Sequence, residues 1–232
     1  MNHIDLSRCV VDWLLKIDQW DRAVSIDIEG DLATLDEPTK FLLSLSIARR
    51  INGRIEIKNF VLNEETSTDE VRTFRELGTE FQEIKPLVLI GFNIRLFDLL
   101  VLGLKLRQLD NLFKQERKYE PWYWALRDAI GGSYILDMMD PIRFEIARHD
   151  KTNPKFVQLE AAIAHPRFRH LTFRNTKNIV SSRMSAHQGH TKWNVIYDLW
   201  KNDRKLFEQY IEGDVHDTLL IAEDIFCSKS AT

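Results

Sequence analysis

Residues 23–30 read Ala-Val-Ser-Ile-Asp-Ile-Glu-Gly. The stretch is short, rich in β-branched residues and closed by glycine, which is the pattern of a strand. On a strand, residues two apart share a face, so Asp27 and Glu29 project together from an otherwise apolar segment. Two carboxylates so placed repel each other, and burying them is costly unless something positive lies between them. The chemical reading is a pair of ligands for a divalent metal. The plain reading is a strand end whose acids reach solvent.

The segments on either side set the fold class. Downstream come a polar loop over residues 30–40 with Pro38, a second strand over 41–48, and Asn52-Gly53, a strong hairpin signal answered by a third strand over 54–62. Upstream, Val10, Trp13, Leu14 and Ile17 recur at helical spacing, which predicts a helix over 5–20 with Ser7 as a candidate cap. Ser67 or Thr68 is expected to cap a helix running to residue 84, with Asp69 and Glu70 in its first turn. The run LVLIGF at 87–92 is continuously apolar, as suits a buried central strand, and a helix follows from about residue 96. Residues 134–138 form a short fifth strand, whereas the aromatic run YEPWYW at 119–124 resists assignment. After Pro141 the pattern is helical and broken, over 142–148, 155–164 and 192–200, and it closes with a long helix over 204–226. The expectation is an α/β chain: a mixed five-stranded sheet flanked by helices, with no internal repeat or domain boundary across 1–232.

Composition narrows the classes. The chain has 232 residues, 44% apolar and 29% charged, ordinary for a globular protein and unlike a disordered one. Its two cysteines, Cys9 and Cys227, stand at opposite ends, which excludes a disulfide framework and a cysteine-type zinc site. The opening MNHIDLSR lacks the basic start and apolar run of a secretion signal. The nearest approach to a membrane span, residues 86–106, is broken by Asn93, Arg95 and Asp98. A cytoplasmic protein with no membrane partner is expected. The net charge of −3 hides an asymmetry: residues 143–205 carry 13 Lys/Arg against 5 Asp/Glu, and the remainder carries 19 against 30. Such a basic segment fits a phosphate-rich partner, with Arg167, Arg169, Arg174, Lys177 and Arg183 as expected contacts, or else it is a solvated helix face.

Two further acidic positions matter. Asp98, in GFNIRLFD, stands where the central strand gives way to a helix; as a helix N-terminal acid it also has an ordinary explanation. Tyr210 and Asp214, in QYIEGDVHDT, are four apart and share one helical face. Gly213 beside them is unusual inside a helix and would let another backbone or a substrate come close.

Taken in order, D-x-E on a strand, N-x-x-x-F-D at a strand-to-helix junction and Y-x-x-G-D-V-x-x-T on a C-terminal helix resemble the DEDDy branch of the DEDD exonuclease superfamily. The likeness is to stand-alone exonucleases related to the proofreading domains of family B DNA polymerases. Residues 135–140 (ILDMMD) are similar to those proteins' L-D-x-M-D stretch. The resemblance implies a ribonuclease H-like fold. It also implies a two-metal 3′-to-5′ exonuclease using Mg²⁺ or Mn²⁺ on single-stranded DNA and releasing nucleoside monophosphates. An RNA-trimming enzyme on the same site and a catalytically silent nucleic-acid-binding protein are the alternatives. Carried across, the metal carboxylates are Asp27, Glu29, Asp98 and Asp214, Tyr210 orients the attacking water, and Asn93 and Phe97 are candidate substrate contacts. The sister branch needs a histidine five before the last aspartate; here Gln209 and Glu212 occupy those positions. His216, two residues after Asp214, is read as a bystander or substrate neighbour. Mg²⁺ and Mn²⁺ prefer carboxylate and water oxygens, which this ligand set supplies.

Overall fold

The computed structural model describes residues 3–30, 41–116, 119–186 and 191–227. Residues 31–40 of the expected loop, Pro38 included, lie outside the described residues. Among those described, five strands form one mixed sheet of order β3-β2-β1-β4-β5. They are β1 (Ala23–Gly30), β2 (Leu42–Ile51), β3 (Arg54–Val61), β4 (Val88–Gly91) and β5 (Tyr134–Asp137). The first three run antiparallel, and β4 and β5 are parallel to β1. Asn52 and Gly53 both take positive φ, 51° and 78°, which is what a two-residue turn between twisted strands requires.

Helices cover both faces. They are α1 (His3–Lys16), α2 (Ser67–Ile84), α3 (Asp98–Glu116), α4 (Pro121–Gly132), α5 (Met139–Asp150), α6 (Leu159–Ile163), α7 (Lys177–Ala186), α8 (Lys192–Asn202) and α9 (Arg204–Phe226). Val24, Ile26 and Ile28 pack with Phe74, Phe81, Val101 and Leu126, so that face of β1 belongs to α2, α3 and α4. Ala23, Ala48 and Ile90 pack with Val215, Leu219 and Ala222 of α9 on the opposite face. A third cluster joins Val180, Val195, Leu199 and Trp200 to Phe207 and Tyr210, seating α7 and α8 against the first half of α9. The period of two therefore does what the sequence implied: isoleucines on one side, Asp27 and Glu29 on the side that α9 covers.

Several boundaries differ from expectation. The first helix ends at Lys16, because Asp18 turns the chain with φ 54° and Trp20 falls in a 3₁₀ turn. Ser7 is no cap; it is buried within α1, its hydroxyl 2.9 Å from the Tyr134 hydroxyl. The cap of α2 is Thr66, whose side chain accepts from the Asp69 N–H. Helix α3 starts at Asp98, later than expected, because Asn93 takes φ 63° and the chain needs Ile94–Phe97 to turn. The aromatic run opens α4 with Pro121 in its first turn, and Trp122 and Tyr123 are core residues. Of residues 155–164 only Leu159–Ile163 is helical. Helix α7 was not foreseen: KNIVSSRMSA has no helical apolar stripe, and Asn, Ile, Val and three serines outnumber its better helix formers.

Candidate active site

Three carboxylates converge where β1 meets α9. One oxygen from each of Asp27, Glu29 and Asp214 lies within 4.8 Å of the others. The strand pleat points the first two at the helix, and the four-residue spacing turns Tyr210 and Asp214 toward the strand. Asp214 and Tyr210 are buried; Asp27 and Glu29 keep partial exposure.

Asp98 reaches the same strand from the other side. Its Oδ1 accepts the Ile28 N–H at 3.2 Å, between the two acids of β1. That N–H is left over because β4 ladders with β1 only through Ser25 and ends at Gly91. An unpaired buried donor requires an acceptor, and Asp98 supplies it. The site thus sits at the carboxyl ends of the parallel strands β1 and β4, where open α/β sheets hold their ligands. Asp98 is adjacent to the three-carboxylate group and outside it.

Lys177, the first residue of α7, fills the role of the missing positive charge. Its ammonium pairs with Asp214, sits 3.5 Å from the Tyr210 hydroxyl and lies 5.0 Å from the centre of that ring. The sequence placed Lys177 in a surface patch; the structure places it in the acidic cluster, with only 12% of its side chain exposed. A loop latched to α9 delivers it there. Asp217 accepts the Arg174 N–H at 2.9 Å and the Asn175 N–H at 3.1 Å, and Thr176 Oγ1 donates to the Tyr210 carbonyl at 3.1 Å. Gly213 makes room for this loop, since a Cβ there would stand 1.8 Å from Thr176 Oγ1. The close approach expected at Gly213 is therefore that of Thr176. His216 bonds Asp217 at 2.8 Å and so supports the latch.

The electrostatics follow from crowding. Burial, then Asp214, Asp98 and Glu29, push the Asp27 carboxyl well above the usual carboxylate range, against the pull of Lys177. Burial and Asp214 raise Glu29 to about 7, while Lys177, Lys192 and a hydrogen bond with Tyr210 oppose the rise. Burial also raises Asp98, and it raises Asp214 despite Lys177. Burial works against the charge on Lys177, but Asp214, Asp27 and Glu29 outweigh it and hold the ammonium protonated. Burial and the same three acids push the Tyr210 hydroxyl well up, so it keeps its proton.

Asp137 is a second residue whose part the sequence did not disclose. Its carboxylate accepts the N–H groups of Asn93 at 3.0 Å, Arg95 at 3.2 Å and Met139 at 3.1 Å, which shapes the turn leading to Asp98. Asn93 enters that turn through its backbone. Phe97 is half-buried against the α2–α3–α4 cluster. Of the five cations expected to contact a phosphate-rich partner, four are ion-paired within the molecule, Lys177 among them. Arg167 meets Glu145 and Asp224, Arg174 meets Glu212, and Arg183 meets Asp198 and Asp203. Arg169 has no acidic partner among the described residues.

The donor set fits a hard divalent cation: carboxylate oxygens, with no sulfur or imidazole among them. A second group, His149, Asp150 and His165, does not fit a metal as well. His165 Nδ1 accepts the Arg167 N–H at 3.1 Å, which puts the ring proton on Nε2, where it faces Asp150 at 2.9 Å instead of offering a lone pair.

No protein-family model and no curated protein matches the chain. Among solved structures, the family B DNA polymerase from the hyperthermophilic archaeon Pyrobaculum calidifontis superposes with a TM-score of 0.54 at 18% identity, over 87% of this chain. The match covers 24% of the polymerase, so the chain spans about a quarter of that protein's length. At this identity the likeness is one of fold: α/β, with the ribonuclease H-like mixed sheet that the motifs implied. No helix among the described residues is long and apolar enough to cross a membrane.

Proposed function

We propose that this chain is a metal-dependent 3′-to-5′ exonuclease domain that removes nucleotides from single-stranded DNA ends as nucleoside monophosphates. The observation that carries the reading is the meeting of Asp27, Glu29 and Asp214 within 4.8 Å, beside Tyr210 and Lys177. The order of the motifs and the fold likeness to a DNA polymerase point the same way.

Asp27, Glu29 and Asp214, with Asp98 in support, would hold two Mg²⁺ or Mn²⁺ ions. Bound there, the ions supply an activated water and charge stabilisation for the leaving oxygen. The remaining work belongs to the protein. Tyr210, held protonated and hydrogen-bonded to Glu29, orients the attacking water by its hydroxyl and does not act as the base. Lys177 supplies a fixed cation to an anionic phosphate. Asp98, anchored on the Ile28 N–H, keeps β1 in register with α3, and Asn93 and Phe97 flank the substrate at that turn.

Single-stranded DNA and RNA oligomers, each labelled at the 3′ or the 5′ end, test the reading in Mg²⁺, Mn²⁺ or EDTA. Stepwise loss from the 3′ end of DNA with either metal, and none in EDTA, is expected. Full activity in chelator, or 5′ attack, would overturn it.

A further inference from the structure

The acids of β1 have neighbours across the sheet that carry no partner. In the antiparallel pairing of β1 with β2, Asp27 stands opposite Ser46 and Glu29 opposite Ser44. Directly opposed residues share a face, with Cβ atoms about 5 Å apart. Both serines are 1% exposed, and both Oγ atoms are buried with no hydrogen-bond partner. A hydroxyl shut away from water and unpaired costs stability, so two of them beside two crowded carboxylates call for a reason. Ser25 is equally buried and unpaired on the same face, but it stands opposite Ala48. Serine also keeps this row low enough for α9 to lie close, which alone would be met by alanine.

Resting on the reading of this cluster as a metal site, we propose that Ser44 and Ser46 are positioning residues. Their hydroxyls donate to Glu29 and Asp27 when a divalent cation draws those carboxylates into ligating orientation, and they stand unpaired when it does not. Cation binding then gains two hydrogen bonds beyond its own ligands. Ser46 has one rival acceptor, the unpaired Oδ1 of Asn59, which stands opposite it on β3. A hydroxyl serving Asn59 would be indifferent to the metal.

Mn²⁺ binding to the full chain, read from the free Mn²⁺ resonance signal, decides this without a nuclease assay. Ser46→Ala and Ser44→Ala should each weaken Mn²⁺ binding about tenfold, the usual effect of losing a group that orients a ligand. Without metal, both variants should melt at or above the wild-type temperature, since each loses an unpaired hydroxyl. Ser25→Ala should melt likewise and bind Mn²⁺ as wild type does. Ser46→Cys, of similar size with a weak donor, should copy Ser46→Ala and replaces it should the alanine variant fold poorly. Wild-type Mn²⁺ affinity in the Ser44 and Ser46 variants would overturn this inference and leave the metal site standing. So would an equal loss in Ser25→Ala. A wild-type protein that binds no Mn²⁺ would overturn the site itself and this inference with it.

Discussion

Replacing Glu29 with glutamine isolates what the acidic cluster costs the fold. Glutamine keeps the shape of the protonated side chain and cannot ionise. Glu29 is held at about 7 against an ordinary 4.5, by burial first and by Asp214 second. Folding raises this pKa, so the folded chain keeps the proton over a range in which the unfolded chain has released it. The stability associated with that proton is full below pH 4.5 and is lost as pH rises through 7. Fully developed, a difference of that size corresponds to about 3 kcal/mol. Glu29 keeps partial exposure, and water screens the repulsion to about 1–2 kcal/mol. For a chain of this length that is about 3–6 °C in Tm. Glu29→Gln without metal should therefore melt higher than wild type by that amount at pH 8, and by about half of it at pH 5, by the same linkage. Divalent metal should reverse the order. It stabilises wild type by about 2.7 kcal/mol at a hundredfold excess over its dissociation constant, and the variant by clearly less. Thermal melts at the two pH values, with EDTA or Mn²⁺, make the measurement. A Glu29→Gln protein that melts lower than wild type at pH 8 would refute the reasoning. So would a gain as large at pH 5 as at pH 8.

Other substitutions probe the parts around the cluster. Tyr210→Phe keeps the buried ring and loses the hydroxyl, so turnover should fall far more than affinity for a single-stranded oligomer; an unchanged single-turnover rate would make Tyr210 a packing residue only. Gly213→Ala forces Thr176 from its place and should destabilise by about 1–3 kcal/mol in chemical melts, with clear coupling to Thr176→Ala in a double-mutant cycle. Arg167→Ala should lower stability by about 1–2 kcal/mol, because it removes the guanidinium that bridges Glu145 and Asp224 and leaves those acids to Arg148 and His170, whereas Arg169→Ala should leave stability alone and flatten the salt dependence of oligomer binding by about one unit of log–log slope. Equal stability losses for the two arginines would contradict the division between internal and outward-facing cations.

Much of this molecule was legible in one dimension wherever the signal is local. The alternation of AVSIDIEG put Asp27 and Glu29 on one face, Asn52-Gly53 turned the hairpin, and residues 204–226 read as the helix that is found there. Motif order then united acids far apart in sequence, and the packing of α9 on β1 brings three of them together. What remained hidden depends on contacts that leave no periodic mark. Lys177 opens a helix without an apolar stripe, and its depth is decided by the Asp217 latch and the gap at Gly213, both distant along the chain. Arginines that counted as a surface charge in a tally of residues proved to be ion-pair partners, because a sum of charges carries no information about which face meets which acid. The serines opposite Asp27 and Glu29 are ordinary strand residues until register sets them there, and register is a property of two strands, not of either one.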